Sequence, residues 1–185
     1  MSARFPIGHL DQVGIVVRDL AAAMRHYHDL LGIGPWRVYT YGPGLVKEMT
    51  YRGRRQDFTM RIALTTLNGW ILELVESVAG PNIYEEFLAA HGEGIHHLMT
   101  IVDDFDAEVA RFQSLGYELI QSGRGYGASG DGGFAYFDTT ADLGLILELV
   151  AIPRQRIPPE SIYPPNATDA DPSLRSRGHR PVRHQ

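Results

Sequence analysis

The sequence predicts an α+β protein built from two copies of one β-α-β-β-β module. The pentapeptide ILELV at residues 71–75 recurs letter for letter at residues 146–150, an offset of 75 residues. A weaker match relates residues 12–20 to residues 97–105, an offset of 85 residues. Internal repeats of this kind indicate duplicated structural units. Because the two offsets differ, we expect the first module to carry an insertion, which we place between Trp36 and Arg61.

Each module opens with a β-branched strand that leads into a capped helix. Residues 12–17 form the first strand, and Asp19 then caps a helix with apolar residues at helical spacing and a stop at Gly32. Asp104 and Gly116 bound the equivalent helix of the second module. Further strands are predicted after each helix, at residues 38–41, 45–51, 59–65 and 70–76 in the first module and 118–122, 133–138 and 144–151 in the second.

The domain organisation follows from these elements. We place one globular domain over residues 8–152, with module one at 8–78, a linker helix at 81–92 and module two at 94–152. The composition then turns rich in proline and arginine, so residues 153–185 are predicted to be a tail. Packing is expected to stop near Pro153, with a mobile segment after Asn166 and three candidates for surface docking: Ile157, Ile162 and Tyr163.

Composition restricts the class of protein. With 185 residues, 44% of them hydrophobic and 21% charged, the chain suits one ordinary globular domain. It has no cysteine, so thiolate metal sites, disulfides and cysteine nucleophiles are excluded. The net charge of -5 argues against nucleic acid as a partner. No apolar run reaches the roughly 18 residues of a membrane span, and we expect a cytoplasmic protein that does not bind membranes.

Two glutamates occupy the same position in the repeated pentapeptide. Glu73 and Glu148 each lie in the middle of a strand among branched apolar residues. A lone buried carboxylate costs several kcal/mol or becomes protonated, so a compensating group is expected. The alternative is that both glutamates face solvent from one-sided strands.

Two further polar residues open the first strands of the modules at matched positions. These are Gln12 and His97. If the modules pack about a pseudo-twofold axis, they meet Glu73 and Glu148 and supply three oxygen donors and one imidazole. This set suits one divalent metal ion such as Mg, Mn, Co or Ni, and permits Zn or Fe. His9, three residues before Gln12, is the alternative ligand if the strand register differs.

The sequence resembles the vicinal oxygen chelate superfamily, which includes glyoxalase I, methylmalonyl-CoA epimerase, extradiol dioxygenases and bleomycin-resistance proteins. The resemblance spans residues 8–152 and is carried by LDQVGIVVRDLAAAM, FLAAHGEGIHHLMTIVDD and both ILELV copies. It implies an open, cup-shaped mixed sheet, a homodimer, and metal ligands at Gln12, Glu73, His97 and Glu148. The GEGIHH stretch looks most like methylmalonyl-CoA epimerase, whereas glutamine in the first ligand position is seen in some glyoxalases I.

The resemblance implies a metal-dependent isomerase or epimerase. Such an enzyme moves a proton on the carbon next to a carbonyl or thioester, through a metal-stabilised enolate. Glu148 is the first choice for the mobile base and Glu73 the second. The alternatives are a glyoxalase-type lyase and a non-catalytic protein that binds or sequesters a small molecule. The implied substrate is a small molecule, with a CoA or glutathione thioester or adduct as candidates.

Three other features carry weaker hypotheses. In a regular strand His96 faces away from His97, which favours a packing or surface role. The glycine-dense residues 123–133 are either a lid that presents Arg124 or Tyr126 to substrate or a plain connection. Four arginines either hold an anionic substrate or form a solvated hairpin edge; they are Arg52, Arg54, Arg55 and Arg61.

Overall fold

One large mixed sheet organises the part of the chain that the computed structural model describes, residues 7–167. The expected mobility after Asn166 falls almost entirely outside these described residues. The strands are β1 Gln12–Val17, β2 Trp36–Tyr41, β3 Glu48–Tyr51, β4 Arg54–Arg55, β5 Thr59–Leu67, β6 Trp70–Ala79, β7 Gly94–Ile101, β8 Leu119–Tyr126, β9 Gly132–Phe137, β10 Ile146–Ala151 and β11 Ser161–Tyr163. The helices are α1 Leu20–Leu31, α2 Ile83–His91, α3 Phe105–Ser114 and α4 Thr140–Leu143. None of these helices is long and apolar enough to cross a lipid bilayer.

Helices α1 and α3 begin and end close to the capping residues identified in the sequence. The Asp19 side chain accepts a hydrogen bond of 2.8 Å from the backbone of the first turn of α1, and Asp104 accepts the equivalent bond of 3.0 Å in α3. Gly32 ends α1 with a φ of 68°, a left-handed conformation that favours glycine. The α+β fold class is confirmed.

Sheet topology reproduces the sequence repeat. The strand order is β11-β2-β5-β6-β1-β7-β10-β9-β8-β3-β4. At its centre β1 and β7 pair antiparallel, and each is flanked on its other side by a parallel strand, β6 beside β1 and β10 beside β7. The repeated pentapeptides lie on β6 and β10. The two modules are therefore related by a pseudo-twofold axis that passes between β1 and β7.

The inserted segment forces the sheet to curl. β2 and β3 are second from opposite ends of the sheet, yet only residues 42–47 connect them. In a flat sheet eight strand spacings separate them by about 38 Å, whereas the fully extended connection spans at most about 25 Å. The sheet therefore closes into a cup, with the hairpin of β3 and β4 paired to β8 of the other module.

Side chains alternate between the two faces of each strand. As a result, a cluster of polar residues lies on the concave face of the cup, and the convex face is apolar. Gln12, Gly14, Glu73, His97 and Glu148 share the concave face. The convex face packs against α1 and α3 in two apolar clusters, one around Leu20, Trp36 and Leu74 and one around Phe112, Leu147 and Leu149. Each such side chain contributes about 1.5–3 kcal/mol by burial.

Residues 153–163 remain packed on the domain. β11 pairs antiparallel with β2, with Tyr163 opposite Trp36, and Tyr163 packs against the cluster around Trp36. The expectation that packing stops near Pro153 is wrong, while docking of Ile162 and Tyr163 is found. The physical reason is that β2 would otherwise be an edge strand with unpaired backbone groups.

Candidate metal and active site

Four buried side chains from four central strands converge at the floor of the cup. Nε2 of His97 on β7 lies 3.1 Å from Oε2 of Glu73 on β6 and 3.3 Å from Oε2 of Glu148 on β10. Gln12 on β1 donates from Nε2 to Oε2 of Glu73 at 2.9 Å and lies 3.4 Å from Nε2 of His97. All four residues are at most 6% exposed. The structure thus brings together the four residues singled out from the sequence, whose role as ligands stays a prediction.

Gly14 makes room for the His97 ring. Gly14 faces His97 across β1 and β7 and Glu73 across β1 and β6. A Cβ atom added at Gly14 would lie 1.9 Å from Cε1 of His97, far closer than two carbon atoms can approach. The imidazole therefore lies flat over β1, where any larger residue would displace it. A glycine inside a strand was the available sequence signal.

The cluster is electrostatically coupled. Burial raises the pKa of Glu73, and contact with His97 opposes that rise. Burial lowers the pKa of His97, but the carboxylates of Glu148 and Glu73 outweigh burial and raise it to about 9. In the absence of a cation, the imidazole and carboxylates therefore share a proton at neutral pH.

Glu148 is the less restrained of the two carboxylates. Its Oε2 is buried and accepts no hydrogen bond of adequate geometry, although it lies 3.3 Å from Nε2 of His97. Both carboxylates raise the pKa of His97, and Glu148 does so more strongly than Glu73. Oε2 of Glu148 is nevertheless left without a hydrogen bond of adequate geometry, whereas Oε2 of Glu73 accepts one from Gln12.

The donor set fits a divalent cation. Glu73, His97 and Glu148 each offer a ligand atom, and these atoms lie within 4.8 Å of one another. The unpartnered oxygen of Glu148 is an acceptor without a donor, which a cation would satisfy. Gln12 can add its carbonyl oxygen if its amide turns over, since amide orientation follows the surrounding hydrogen bonds. Carboxylate, amide and imidazole ligands suit the metals named from the sequence.

The cluster lies at the floor of an open cavity. The empty volume of this cavity, including the solvent at its entrance, is about 870 Å³. Gln12, Glu73 and Glu148 form the polar part of the lining at the floor, and Arg156 adds a charged residue elsewhere in the lining. The walls are otherwise mostly apolar and rich in aromatic rings, from Tyr39, Tyr41, Tyr126, Phe134 and Tyr136. A concave, largely apolar site with a few converging polar groups is typical of small-molecule binding.

His9 lies outside the cluster. Its Nε2 contacts Oδ2 of Asp11 at 3.2 Å, and its side chain is 52% exposed. The strand register therefore brings Gln12, and not His9, to the other three residues.

His96 is buried against His97 because β7 is not a regular strand. The pairing of β1 and β7 shifts register after Gly14, so that Ile15 lies opposite Ile95 and His96 falls in a bulge. Nδ1 of His96 then lies 3.0 Å from Nδ1 of His97. The ring packs against Phe87, which fits the packing interpretation and excludes the surface one. Burial lowers the pKa of His96, so its ring is neutral.

Most of the arginines predicted as substrate contacts lie elsewhere. Arg52 pairs with Glu86 at 2.5 Å, Arg61 with Glu76 at 3.7 Å, and Arg124 with Asp106 at 2.5 Å. None of the three lines the cavity, whereas Tyr126 from the glycine-dense segment does. The solvated-edge interpretation therefore fits the hairpin arginines better than substrate binding.

Comparison with known proteins places the chain in a family. A family model described as the Glyoxalase/Bleomycin resistance protein/Dioxygenase superfamily matches residues 11–137. The chain belongs to this superfamily. The match confirms the resemblance to the vicinal oxygen chelate group and contains Gln12, Glu73 and His97, with Glu148 eleven residues beyond its end. No curated protein matches this chain.

Solved structures of similar fold include methylmalonyl-CoA epimerases. The Mycobacterium tuberculosis epimerase is 29% identical, with a TM-score of 0.55 over 83% of this chain and 94% of that one. A variant of the Streptomyces coelicolor epimerase in complex with 2-nitronate-propionyl-CoA is 23% identical, with a TM-score of 0.54 over 77% and 95%. A hypothetical protein from Bacillus halodurans C-125 is 20% identical, with a TM-score of 0.55 over 80% and 97%. The last two show the shared fold.

Proposed function

We propose that this protein is a metal-dependent isomerase or epimerase that moves a proton on the carbon next to a carbonyl or thioester. The observation that carries the proposal is Glu148, a buried carboxylate whose Oε2 accepts no hydrogen bond of adequate geometry, at the floor of the cavity lined by aromatic rings. The similarity to a methylmalonyl-CoA epimerase from Mycobacterium tuberculosis supports it.

Gln12, Glu73, His97 and Glu148 are the residues that would hold the divalent ion. When bound, the ion supplies positive charge that lowers the energy of an enolate on the substrate. The buried cluster has two carboxylates for one imidazole, and a cation balances this excess of negative charge.

Glu148 is the base in this proposal. A carboxylate has two oxygens, so Glu148 can hold the ion through one and take the proton from the substrate carbon with the other; the C–H bond breaks, and its electron pair moves into the carbonyl to give an enolate. Oε2 of Glu73 already accepts a hydrogen bond from Gln12, so Glu73 is the weaker base of the two. Because burial raises the pKa of Glu73, this residue can hold the proton that returns to the opposite face of the carbon.

The cavity walls protect the reacting carbon. Tyr41, Phe134 and Tyr136 are among the rings that line the cavity, and burial raises the pKa values of Tyr41 and Tyr136, so both stay neutral. A neutral, largely apolar wall keeps bulk water from donating a proton to the enolate. The net result is that Glu148 removes one proton from one face of the carbon and Glu73 returns one to the opposite face; the two carboxyl groups exchange their protons with solvent between turnovers, so deuterium from D₂O enters at this carbon.

A glyoxalase-type lyase is the second candidate. It uses the same proton transfer on a glutathione adduct, and the specific observation that favours it is Gln12 in the cluster beside Glu73, where some glyoxalases I have glutamine. A non-catalytic binding protein is the third candidate. The cluster argues against this third candidate, because burying two carboxylates around one imidazole costs free energy that a simple binding cavity does not require.

The decisive experiment combines metal analysis with solvent exchange. We expect about one divalent ion per chain, and deuterium uptake from D₂O at the α-carbon of methylmalonyl-CoA or of the methylglyoxal-glutathione adduct, followed by NMR. Loss of a catalytic base typically costs about 10²–10⁴-fold, so Glu148→Gln should slow exchange to that degree.

The matched control is Glu118→Gln, which removes an exposed carboxylate and should leave exchange unchanged. Exchange at the wild-type rate in Glu148→Gln would refute the base assignment. A protein that takes up no metal under any loading condition would instead favour the binding-protein candidate.

A further inference from the structure

A C-terminal strap, residues 153–163, crosses from module two to module one along the cavity. At one end the backbone N–H of Ala128 donates to the carbonyl of Gln155 at 2.8 Å, and Nε of Arg154 pairs with Oδ2 of Asp131 at 2.6 Å. At the other end Glu160 donates from its backbone N–H to the carbonyl of Val38 at 2.9 Å, next to the pairing of β11 with β2. The strap is thus fixed at both ends.

Between these anchors the strap contributes Pro153, Arg156 and Ile157 to the cavity lining. Arg156 is the only lysine, arginine or histidine among the lining residues of the described chain. Within residues 7–167 it forms no ion pair or hydrogen bond, whereas Arg52, Arg61 and Arg154 are each paired with an acid. Arg156 is exposed, and no acid of the described chain neutralises it, so its charge is available to an anionic group at this part of the cavity.

Tyr41 lines the same cavity as Arg156. Its ring contacts that of Tyr126 edge-on, with centroids 5.3 Å apart. The hydroxyl of Tyr126 donates to the carbonyl of Ala151 at 3.1 Å, whereas the hydroxyl of Tyr41 has no hydrogen-bond partner in the described part of the chain. Burial raises the pKa of both tyrosines, and the positive charge of Arg156 opposes that rise in both. Tyr41 remains a neutral O–H donor.

We infer that Arg156 and Tyr41 form a subsite for an anionic group of the substrate, at the part of the cavity that the strap lines. The identity of the reacting end rests on the proposed function, but the subsite does not. A guanidinium fork and a phenol hydroxyl are hydrogen-bond donors of the kind that bind a carboxylate or a phosphate. The aromatic and aliphatic walls take the apolar body between the two ends. The substrate class is thus a carbonyl compound with an apolar body and an anionic end.

The test measures binding, not turnover. The full-length protein, with the metal it carries on purification, is titrated with 4-phenylbutyrate, its neutral analogue 4-phenylbutanamide, and CoA, by calorimetry. A charge-assisted contact is worth about tenfold or more in affinity, so Arg156→Gln should weaken binding of the anionic probe to that degree and leave the amide unchanged. Arg156→Lys should keep most of the affinity, and Tyr41→Phe should lose a smaller part.

Arg54→Gln is the matched control because it removes one exposed positive charge outside the cavity lining. A loss confined to 4-phenylbutyrate supports the subsite and assigns it to a substrate carboxylate. A loss confined to CoA supports it and assigns it to a phosphate of a carrier. Equal affinity of wild type and Arg156→Gln for both anions would overturn the inference. These probes test binding and do not react. A negative result with them therefore does not bear on the exchange experiment with Glu148→Gln, which tests the proposed function separately.

Discussion

At the scale of single residues, the site depends on Gly14 having no side chain, because the His97 ring occupies the space that a side chain there would fill. The His97 ring lies against the backbone of β1, and this places its Nε2 between the carboxylates of Glu73 and Glu148. Nδ1 is held at the same time by His96. A metal-binding imidazole commonly has its second nitrogen fixed in this way.

We predict that Gly14→Ala abolishes metal binding. The new methyl group would overlap the ring, and the ring cannot move without leaving the cluster. Overpacking a buried site typically costs about 1–3 kcal/mol, which urea unfolding would reveal, while metal content per chain reports the loss of the site. Gly44→Ala is the control, because a Cβ there meets no atom within 4 Å. Full metal content in Gly14→Ala would contradict our account of the site.

At the scale of elements, the strap and β11 connect the second module to the outer edge of the first. Glu160 receives hydrogen bonds from both the backbone N–H and the hydroxyl of Thr40, at 2.9 and 3.0 Å. These contacts and the pairing of β11 with β2 cover the edge next to Trp36. The segment is therefore part of the folded domain and of the cavity wall.

Truncation after Pro153 should therefore destabilise the protein. Removing the strap exposes the β2 edge and the apolar contacts of Tyr163, and burial of one large side chain is worth about 1.5–3 kcal/mol. We expect a loss of at least that size in urea unfolding. Truncation after Ala167 keeps every strap contact and should behave as the full chain. Equal stability of the two truncated proteins would show that β11 contributes nothing.

At the scale of the whole molecule, the cluster joins the two modules. Gln12 and Glu73 come from module one, and His97 and Glu148 from module two, so a bound ion would tie together strands on both sides of the pseudo-twofold axis. A ligand that binds only the folded state stabilises it, by about 4 kcal/mol at a thousandfold excess over its Kd. The homodimer and the cytoplasmic location stay predictions.

We predict that metal binding strengthens as pH rises toward 9. The pKa of His97 in the metal-free fold is raised from 6.5 to about 9, so the stability this group adds to the metal-free fold is present below 6.5 and lost as pH rises through 9. A metal must displace that proton, and its apparent affinity should therefore rise about tenfold per pH unit below 9. Calorimetry with Mn²⁺ in two buffers of different ionisation enthalpy should show about one proton released per ion. Affinity independent of pH would contradict the shared proton.

The sequence by itself determined the modules, the helix ends and the four residues of the cluster. Asp19, Gly32 and Asp104 act through contacts within a few residues, so local patterns were sufficient to predict them. Glu73 and Glu148 were identifiable because the repeat placed the same costly carboxylate twice, and duplication implies symmetry-related positions in space.

Only the tertiary structure decided the features that depend on distant pairing. The hairpin around Tyr51 joins the edge of the other module, the bulge at His96 turns that ring toward His97, and the strap brings Arg156 to the cavity. Each of these features depends on which strand edges remain unpaired after the sheet curls. A short stretch of sequence does not contain that information, because the pairing partners are distant in the chain. The cluster at the floor of the cavity was therefore predictable from the repeat, whereas the part of the cavity that the strap lines was not.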